Sequence, residues 1–446
     1  MPETRWRDGR PQQHVADAHL AHDGHAVGPA ARHGRRHPFL RCHAGSFGPQ
    51  NSPGRRLRSR AGFTFGRPDA MIPQTAERTG MLKHRPVFLT LLLAVVLPPL
   101  AMAAEEAAAE RDPHRTRLIG LPFIYYTPET KVAFGAGGVL SFRAGRDKAE
   151  ARTSSVWAYA GYNLARQFNV LVKPEIYLKA NGLILSGAFR YERAPQKFYG
   201  VGNDTPSSDV ESFTPRIFAV QFGVKRRVLG GLFGGLQFDF ERMTMEKIET
   251  GGLLDAGDIV GSRGGQLAGM GVSLDWDTRD AVPFPRRGEF LQLSADAYGP
   301  IAGSDFTFRR VKLDLRLYQT LGIDRVLALQ AYLLSTGGEV PFHKLALLGG
   351  ESLLRGYYRG RFRDKGMILV QAEYRALVTK RIGVAGFAGL ADIFPGFGDL
   401  GGGKIKFSVG SGLRYVLDKN EGTTLRLDLA WGRASFGLYI TAQEAF

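Results

Sequence analysis

The sequence predicts an all-β protein, a transmembrane antiparallel β-barrel of about 16 strands, and three observations support this fold class. Apolar and polar residues alternate in segments of about 9 to 14 residues, the length that a tilted strand needs to cross a bilayer. Residues 81–103 are typical of an export signal. After residue 103, no apolar run is long enough to cross a membrane as a helix.

Residues 1–80 differ in composition from the rest of the chain. They contain 13 Arg but no Lys, 7 of the 10 His and the single cysteine, Cys42, and they show no lasting periodicity. Such a segment cannot bury a core, so we expect a disordered extension, or a spurious one if translation starts at Met71 or Met81.

The net charge of +17 suggests at first a nucleic-acid-binding protein. Residues 1–103 carry 15 Lys+Arg and 6 Asp+Glu, a net of +9, which leaves +8 for the remaining 343 residues. The Arg-rich runs lack interleaved aromatic residues, and we expect no nucleic-acid partner.

Residues 81–103 predict a secretory signal peptide. The basic residues Lys83 and Arg85 precede an apolar run from Val87 to Leu97, and Ala103 marks the expected cleavage site. Residues 104–118 would then form a short periplasmic lead-in, and residues 119–446 the barrel.

The alternation in the barrel region is clear in single segments, such as the apolar residues from Val311 to Leu317 that alternate with Lys312, Asp314 and Arg316. A soluble sandwich alternates as well, but segment length, loop asymmetry and the export signal favour a membrane barrel. The long links at 194–213, 243–264 and 335–366 are expected outside the cell. The predicted strands are 119–126, 131–142, 154–162, 169–179, 183–193, 214–227, 232–242, 265–277, 289–298, 306–321, 325–334, 367–378, 381–390, 404–416, 423–431 and 435–446.

Residues for catalysis or metal binding are scarce. After the signal segment the only histidines are His114 and His343, no cysteine follows Cys42, and no Gly-x-Ser-x-Gly motif occurs. We therefore expect no catalytic residues, no metal, no cofactor and no enzymatic activity.

The longest external link contains Gly349 and Gly350, followed by Leu354-Arg355-Gly356-Tyr357. This segment resembles the sixth external loop of the BamA/TamA family of bacterial surface antigens, barrels that insert or translocate proteins at the outer membrane. In that family a basic-glycine-aromatic tetrapeptide folds back into the lumen. The resemblance implies that the always-charged guanidinium of Arg355 reaches an acidic group on the inner wall. The alternative is a solvent-exposed loop arginine, like Arg359.

The family places the acidic partner two positions after a phenylalanine. In this sequence Phe387-Ala388-Gly389 puts a glycine there, so we expect Glu373 or Asp392 to substitute.

Two further segments resemble the same family. The segment from Leu274 to Asp280 is similar to the family's Asp-x-Arg-Asp segment. We expect its Asp275, Asp277 and Arg279 to form a charge network on the inner wall or to supply further partners of the loop. The last segment, with Gly437, Tyr439 and Phe446, resembles the final strand that the barrel assembly machinery reads as a signal.

The resemblance implies a role in outer-membrane protein insertion, translocation or membrane biogenesis, and a location in the bacterial outer membrane. The implied partners are outer-membrane lipid, the assembly machinery for the protein's own insertion, and client outer-membrane proteins. Family members usually carry periplasmic repeats of about 75 residues, whereas only about 15 residues separate Ala104 from the first predicted strand, so we expect a member without them. A passive pore, a lipid-transport barrel and a lipase-like enzyme are the alternatives.

Overall fold

A computed structural model describes residues 116–127, 131–145, 152–163, 167–418 and 423–446 of the chain. The predicted extension, the signal peptide and the lead-in up to residue 115 lie outside the described residues. Among the residues so described, no helix is long and apolar enough to cross a membrane.

Sixteen long strands make up most of the described chain, a count that agrees with the prediction. Three short strands and three short helical turns, at Leu253–Ala256, Pro300–Ala302 and Phe397–Asp399, lie in the links. The strands are β1 Arg117–Thr127, β2 Lys131–Phe142, β3 Ser154–Asn163, β4 Phe168–Leu178, β5 Leu183–Arg193, β6 Gln196–Phe198, β7 Glu211–Leu229, β8 Leu232–Ile248, β9 Gly264–Asp277, β10 Gly288–Tyr298, β11 Phe308–Gly322, β12 Arg325–Gly338, β13 Ala346–Leu348, β14 Phe362–Asp364, β15 Gly366–Leu377, β16 Ile382–Phe394, β17 Lys406–Asp418, β18 Thr423–Gly432 and β19 Ser435–Ala442.

Each long strand pairs antiparallel with the next long strand along the chain, as in an up-and-down meander. The ladders at the two ends differ in length: β1 and β2 share eleven residue pairs, and β18 and β19 share eight. Within the described residues, no ladder is seen between β1 and β19, and we call the unpaired edges of these two strands the seam.

The alternation places apolar side chains on the outer face and polar ones inside. On β11, Val311 and Leu317 are exposed, whereas Asp314 and Tyr318 are buried. A hydrocarbon environment accepts such an exposed apolar face, and the polar residues then line the lumen. The predicted fold class, an all-β transmembrane barrel, is confirmed.

The last strand differs from its predicted extent, since β19 ends at Ala442 and not at Phe446. Gln443 has a φ of +67°, and its N–H donates to the carbonyl oxygen of Thr424 at 2.8 Å. This left-handed residue turns the chain away from the strand direction. We call residues 443–446 the tail.

The link between β12 and β15, residues 339–365, packs into the barrel, and we call it the docked loop. Its short hairpin, β13 and β14, and its tip contribute Leu348, Leu354, Tyr357 and Phe362 to an apolar cluster. The wall supplies the rest of that cluster from the inner faces of β15 and β16, namely Met367, Leu369, Ala391 and Ile393. Burial of this apolar surface holds the loop inside.

Candidate functional site at the tip of the docked loop

The tip of the docked loop depends on glycine at the positions that the sequence singled out. Gly349 has a φ of +103°, and a Cβ there would collide with the carbonyl oxygen of Tyr358. Gly356 has a φ of +107°, and a Cβ would lie 2.9 Å from the backbone nitrogen of Gly432 on the last hairpin. The N–H of Gly350 donates to the carbonyl oxygen of Tyr357 at 3.0 Å, which closes the turn. The tip therefore lies directly on the β18–β19 hairpin.

Arg355 is the central side chain of the site and is only 1% exposed. Its Nη2 lies 2.5 Å from Oε2 of Glu373 on β15, and its Nη1 lies 2.5 Å from Oδ2 of Asp428 on β18. The guanidinium carbon is 3.4 Å from the ring centroid of Phe387 on β16. A planar, always-charged group is suited to bridging two carboxylates while it stacks on an aromatic ring.

The two carboxylates face inward because their strands alternate. Glu373 follows Gln371 and precedes Arg375 on the inner face of β15. Arg375 Nε donates to Glu373 Oε1 at 2.7 Å, and Arg414 on β17 reaches Asp428 Oδ1 at 2.6 Å and Glu373 Oε1 at 3.2 Å. Each buried charge thus has opposite charges beside it, which is the condition for keeping it inside a protein.

Of the two acids expected to partner Arg355, the structure brings Glu373 to it and places Asp392 elsewhere. Asp392 accepts hydrogen bonds from Nδ2 of Asn203 at 2.7 Å and from the N–H of Gly401 at 2.8 Å, so it ties two external links together. The second partner, Asp428, was missed. The sequence did indicate that Asp428 faces the lumen, because it lies between Leu427 and Leu429 in an alternating strand.

Gly389 occupies the position at which the family resemblance expects an acid. A Cβ at this residue would lie 3.0 Å from Cδ1 of Leu354 and 3.0 Å from Cβ of Gln371. Leu354 is fully buried and has a φ of +54°. The leucine of the tip therefore fills the space that a side chain at position 389 would need.

The tip is also bonded to the last strand. The N–H of Gly356 donates to the Tyr439 hydroxyl at 2.9 Å, and that hydroxyl donates to the carbonyl oxygen of Tyr357 at 3.2 Å. Ser435 Oγ donates to the Gly356 carbonyl oxygen at 2.6 Å. A Cβ on Gly437 would contact the ring of Tyr439, so this glycine makes room for the tyrosine. The docked loop thereby fastens a seam strand from within the lumen.

Residues 261–432, a segment that includes Arg355, Glu373 and Asp428, match the family model of the Omp85 superfamily domain. The chain carries an Omp85 superfamily domain. The resemblance to the BamA/TamA family is thereby confirmed at the level of this superfamily, and the protein is located in the bacterial outer membrane.

Solved structures resemble the fold of this chain at low sequence identity. BamA from Haemophilus ducreyi lacking POTRA domains 1-3 is 16% identical, with a TM-score of 0.48, over 74% of this chain and 69% of that one. CdiB from Escherichia coli is 12% identical, with a TM-score of 0.48, over 75% and 62%. CdiB from Acinetobacter baumannii is 11% identical, with a TM-score of 0.45, over 72% and 56%. The chain thus spans less than two thirds of each CdiB. No curated protein sequence matches the chain.

The second motif of the Omp85 domain lies at the ends of the strands opposite to the docked loop, away from Arg355. Asp277 accepts from Nε of Arg279 at 2.9 Å and from Nη1 of Arg152 at 2.6 Å. Asp280 accepts from the N–H of Arg286 at 3.0 Å, which closes the turn after β9. Asp275 receives Nζ of Lys225 at 3.0 Å. These residues fix neighbouring turns to one another, and none of them contacts the docked loop within the described residues.

The tail turns into the lumen and joins the network around Glu373. Phe446 is 5% exposed and packs on Tyr318 and Ala328, and its carbonyl oxygen accepts from Nη2 of Arg375 at 3.0 Å. Glu444 accepts from Nε of Arg414 at 2.9 Å. Phe446 was expected on the last strand as an assembly signal, but the turn at Gln443 places it inside the barrel.

A second polar anchor holds the docked loop against β8. Nε2 of His343 is 2.9 Å from Oε1 of Glu241, and Nζ of Lys344 is 3.0 Å from Oε2 of the same carboxylate. Burial lowers the pKa of His343 below its ordinary value. Burial also lowers the pKa of Arg363 to about 10. Its guanidinium lies over the rings of Phe198 and Phe342. Within the described residues, no group of three His, Cys, Asp or Glu side chains could hold a metal ion.

Proposed function

We propose that this protein acts in the insertion or translocation of proteins at the outer membrane and performs no covalent catalysis. The observation that carries the proposal is the placement of Arg355, which is bonded to the barrel wall while the adjoining Gly356 and Tyr357 are bonded to the last strand. A buried loop that fastens a seam strand controls whether that strand can separate.

The seam supplies the surface on which a client strand could form. β19 pairs with β18 over only eight residues, and the described residues show no ladder on its other edge. Unpaired N–H and C=O groups at a strand edge can accept an additional strand, which gives affinity through main-chain hydrogen bonds. Release of the docked loop would free Tyr439 and Ser435 and so loosen β19.

The proposed partners follow from this mechanism. The exposed apolar face of the strands contacts outer-membrane lipid, and client outer-membrane proteins would add strands at the seam. Residues 81–103 would direct export and be removed, and the assembly machinery would insert the barrel itself.

The test is whether cells depend on Arg355 for other outer-membrane proteins. Replacement by Arg355→Ala in the chromosomal gene should lower the levels of other barrels while this protein is still present in the membrane. The matched control is Arg359→Ala, because Arg359 is an exposed arginine of the same loop. Unchanged levels of other barrels in the Arg355→Ala strain would contradict the proposal.

A passive pore is the second candidate, and a lumenal cavity of about 410 Å³ on the opposite wall favours it. A pore should give steady conductance in planar bilayers, and this conductance should rise when residues 346–364 are deleted. A lipid-transport barrel, by contrast, should retain lipid through purification.

A further inference from the structure

The cavity of about 410 Å³ lies on the part of the lumen that the docked loop and the tail leave open. We call it the chamber. Its wall comes from the inner faces of β4, β5, β7, β8, β10, β11 and β12. Tyr332 and Leu334 line the chamber and also pack against the apolar cluster of the docked loop, so the loop forms one of its sides.

The carboxylates of the chamber already have partners. Asp296 accepts from Nε of Arg310 at 3.0 Å and also from the side-chain amide of Gln237. Asp239 accepts from the Tyr298 hydroxyl at 2.7 Å and lies 3.6 Å from Nζ of Lys344. Neither acid is free to neutralise a further cation.

Two lysines of the chamber lack such a partner. Within the described part of the chain, neither Lys173 nor Lys312 has a carboxylate oxygen within 4.0 Å. The acid two residues beyond Lys312 is Asp314, which is paired with Arg316 at 2.6 Å and also accepts from Gln330 at 2.8 Å. The chamber is therefore lined by two lysine side chains that form no direct ion pair within the described residues.

A hydroxyl in the same wall is also unsatisfied. Ser294 lines the chamber and is 2% exposed, and its Oγ has no hydrogen-bond partner within the described residues. Buried hydroxyls are normally bonded, because an unpaired one costs free energy comparable to a lost hydrogen bond. The side-chain amides of Gln221 and Gln237 also line the wall, where they donate to Asp239 and Asp296.

We propose that the chamber is a binding site for a small molecule with a phosphate or carboxylate group, held by Lys173, Lys312 and Ser294. An anion in the chamber would pair with the two lysines through charge-assisted hydrogen bonds, which are stronger than bonds between neutral groups. The volume is sufficient for a phosphorylated metabolite or for the headgroup of an anionic lipid, since small-molecule sites span roughly 300 to 1,000 Å³. The proposal is independent of the proposed function, because the chamber lysines do not contact Arg355.

The experiment is a calorimetric titration of the full-length mature protein in zwitterionic detergent. The ligands are inorganic phosphate and glycerol 3-phosphate, and the ionic strength is held constant with chloride. Wild-type protein should bind at least one of them saturably, and Lys312→Gln and Lys173→Gln should each weaken binding about tenfold, the loss of one charge-assisted hydrogen bond. Lys247→Gln is the matched control, because Lys247 is exposed at the external end of β8. Lys312→Arg should retain binding. That result would show that Lys312→Gln weakens binding through loss of the charge and not through loss of the fold.

The source of the anion is decided on protein purified from native membranes. A phosphorus-containing compound that partitions into organic solvent after denaturation identifies a lipid headgroup, whereas a water-soluble one identifies a free metabolite. Absence of saturable binding of both probes, or equal binding by wild type and both glutamine variants, would overturn the proposal.

Discussion

The Arg355→Ala substitution tests the central contact of the docked loop. The variant removes a guanidinium that bridges two fully buried carboxylates, those of Glu373 and Asp428, and that stacks on Phe387. Removal of one partner from a buried ion pair typically costs about 3 to 5 kcal/mol, largely because a charge is left uncompensated.

The structure places the expected cost at the lower end of that range. After the substitution, Glu373 keeps Arg375 at 2.7 Å and Arg414 at 3.2 Å, and Asp428 keeps Arg414 at 2.6 Å. Neither acid is then left without a counter-charge. We therefore expect the docked state of the loop to lose about 3 kcal/mol, which raises the undocked fraction about 150-fold, at 1.4 kcal/mol per factor of ten.

Limited trypsin digestion of the protein in detergent micelles measures that fraction. Arg355→Ala and Arg359→Ala each remove one trypsin site from the same loop, so the two variants are matched in cleavable positions. The cleavage rate at the remaining sites should rise steeply in the first variant and stay near the wild-type value in the second. Equal cleavage rates in the two variants would refute the argument that Arg355 holds the loop.

Three further predictions concern the parts around the tip. Phe446→Ala should lower the free energy of unfolding in urea by about 3 kcal/mol, because a buried ring is lost. Phe436→Ala, on the exposed face, should lower it much less. A loss of folding yield with unchanged stability would favour an assembly signal instead. Gly389→Ala should cost about 1 to 3 kcal/mol through overpacking, and the double variant with Leu354→Ala should lose less than the sum of the two single losses. Additive losses would show that the two sites do not share space. The lowered pKa of His343 keeps its imidazole neutral in the folded state, so the stability that this residue contributes is present above pH about 6.5 and is lost as the pH falls. On acidification, trypsin cleavage of the docked loop should therefore accelerate less in His343→Gln than in wild type. An identical pH profile in the two proteins would contradict this role.

The strands could be predicted from the sequence because the information is local. In a lipid-exposed barrel each residue faces either hydrocarbon or lumen, so a period of two appears in every strand. The predicted and observed bounds of β2 and β5 coincide. β7 begins earlier and β8 ends later than predicted. The two strands stay paired beyond the apolar band of the barrel, where residues no longer need to alternate between apolar and polar.

The partners of Arg355 could be predicted only in part, because they depend on which inner faces meet across the lumen. Asp428 is 73 residues away in sequence, and no local pattern connects it to the loop. The tail carried a signal that was missed. Phe436, Leu438 and Ile440 face outward, and the same alternation would direct Glu444 into hydrocarbon, so a chain that continued as a strand would bury an unpaired carboxylate in lipid.

The tip and the tail share acids and arginines, so their stabilities should be coupled. Glu373 contacts Arg355 of the tip, and it also contacts Arg375 and Arg414, which bind Glu444 of the tail. A double-mutant cycle of Arg355→Ala with Glu444→Gln should therefore deviate from additivity by about 0.5 to 3 kcal/mol, the range for residues in one ion network. Arg355→Ala combined with Asp277→Asn is the control cycle, because Asp277 is bonded to Arg152 and Arg279 and shares none of these contacts. Additive free energies of unfolding in both cycles, within about 0.3 kcal/mol, would show that the loop and the tail are held separately.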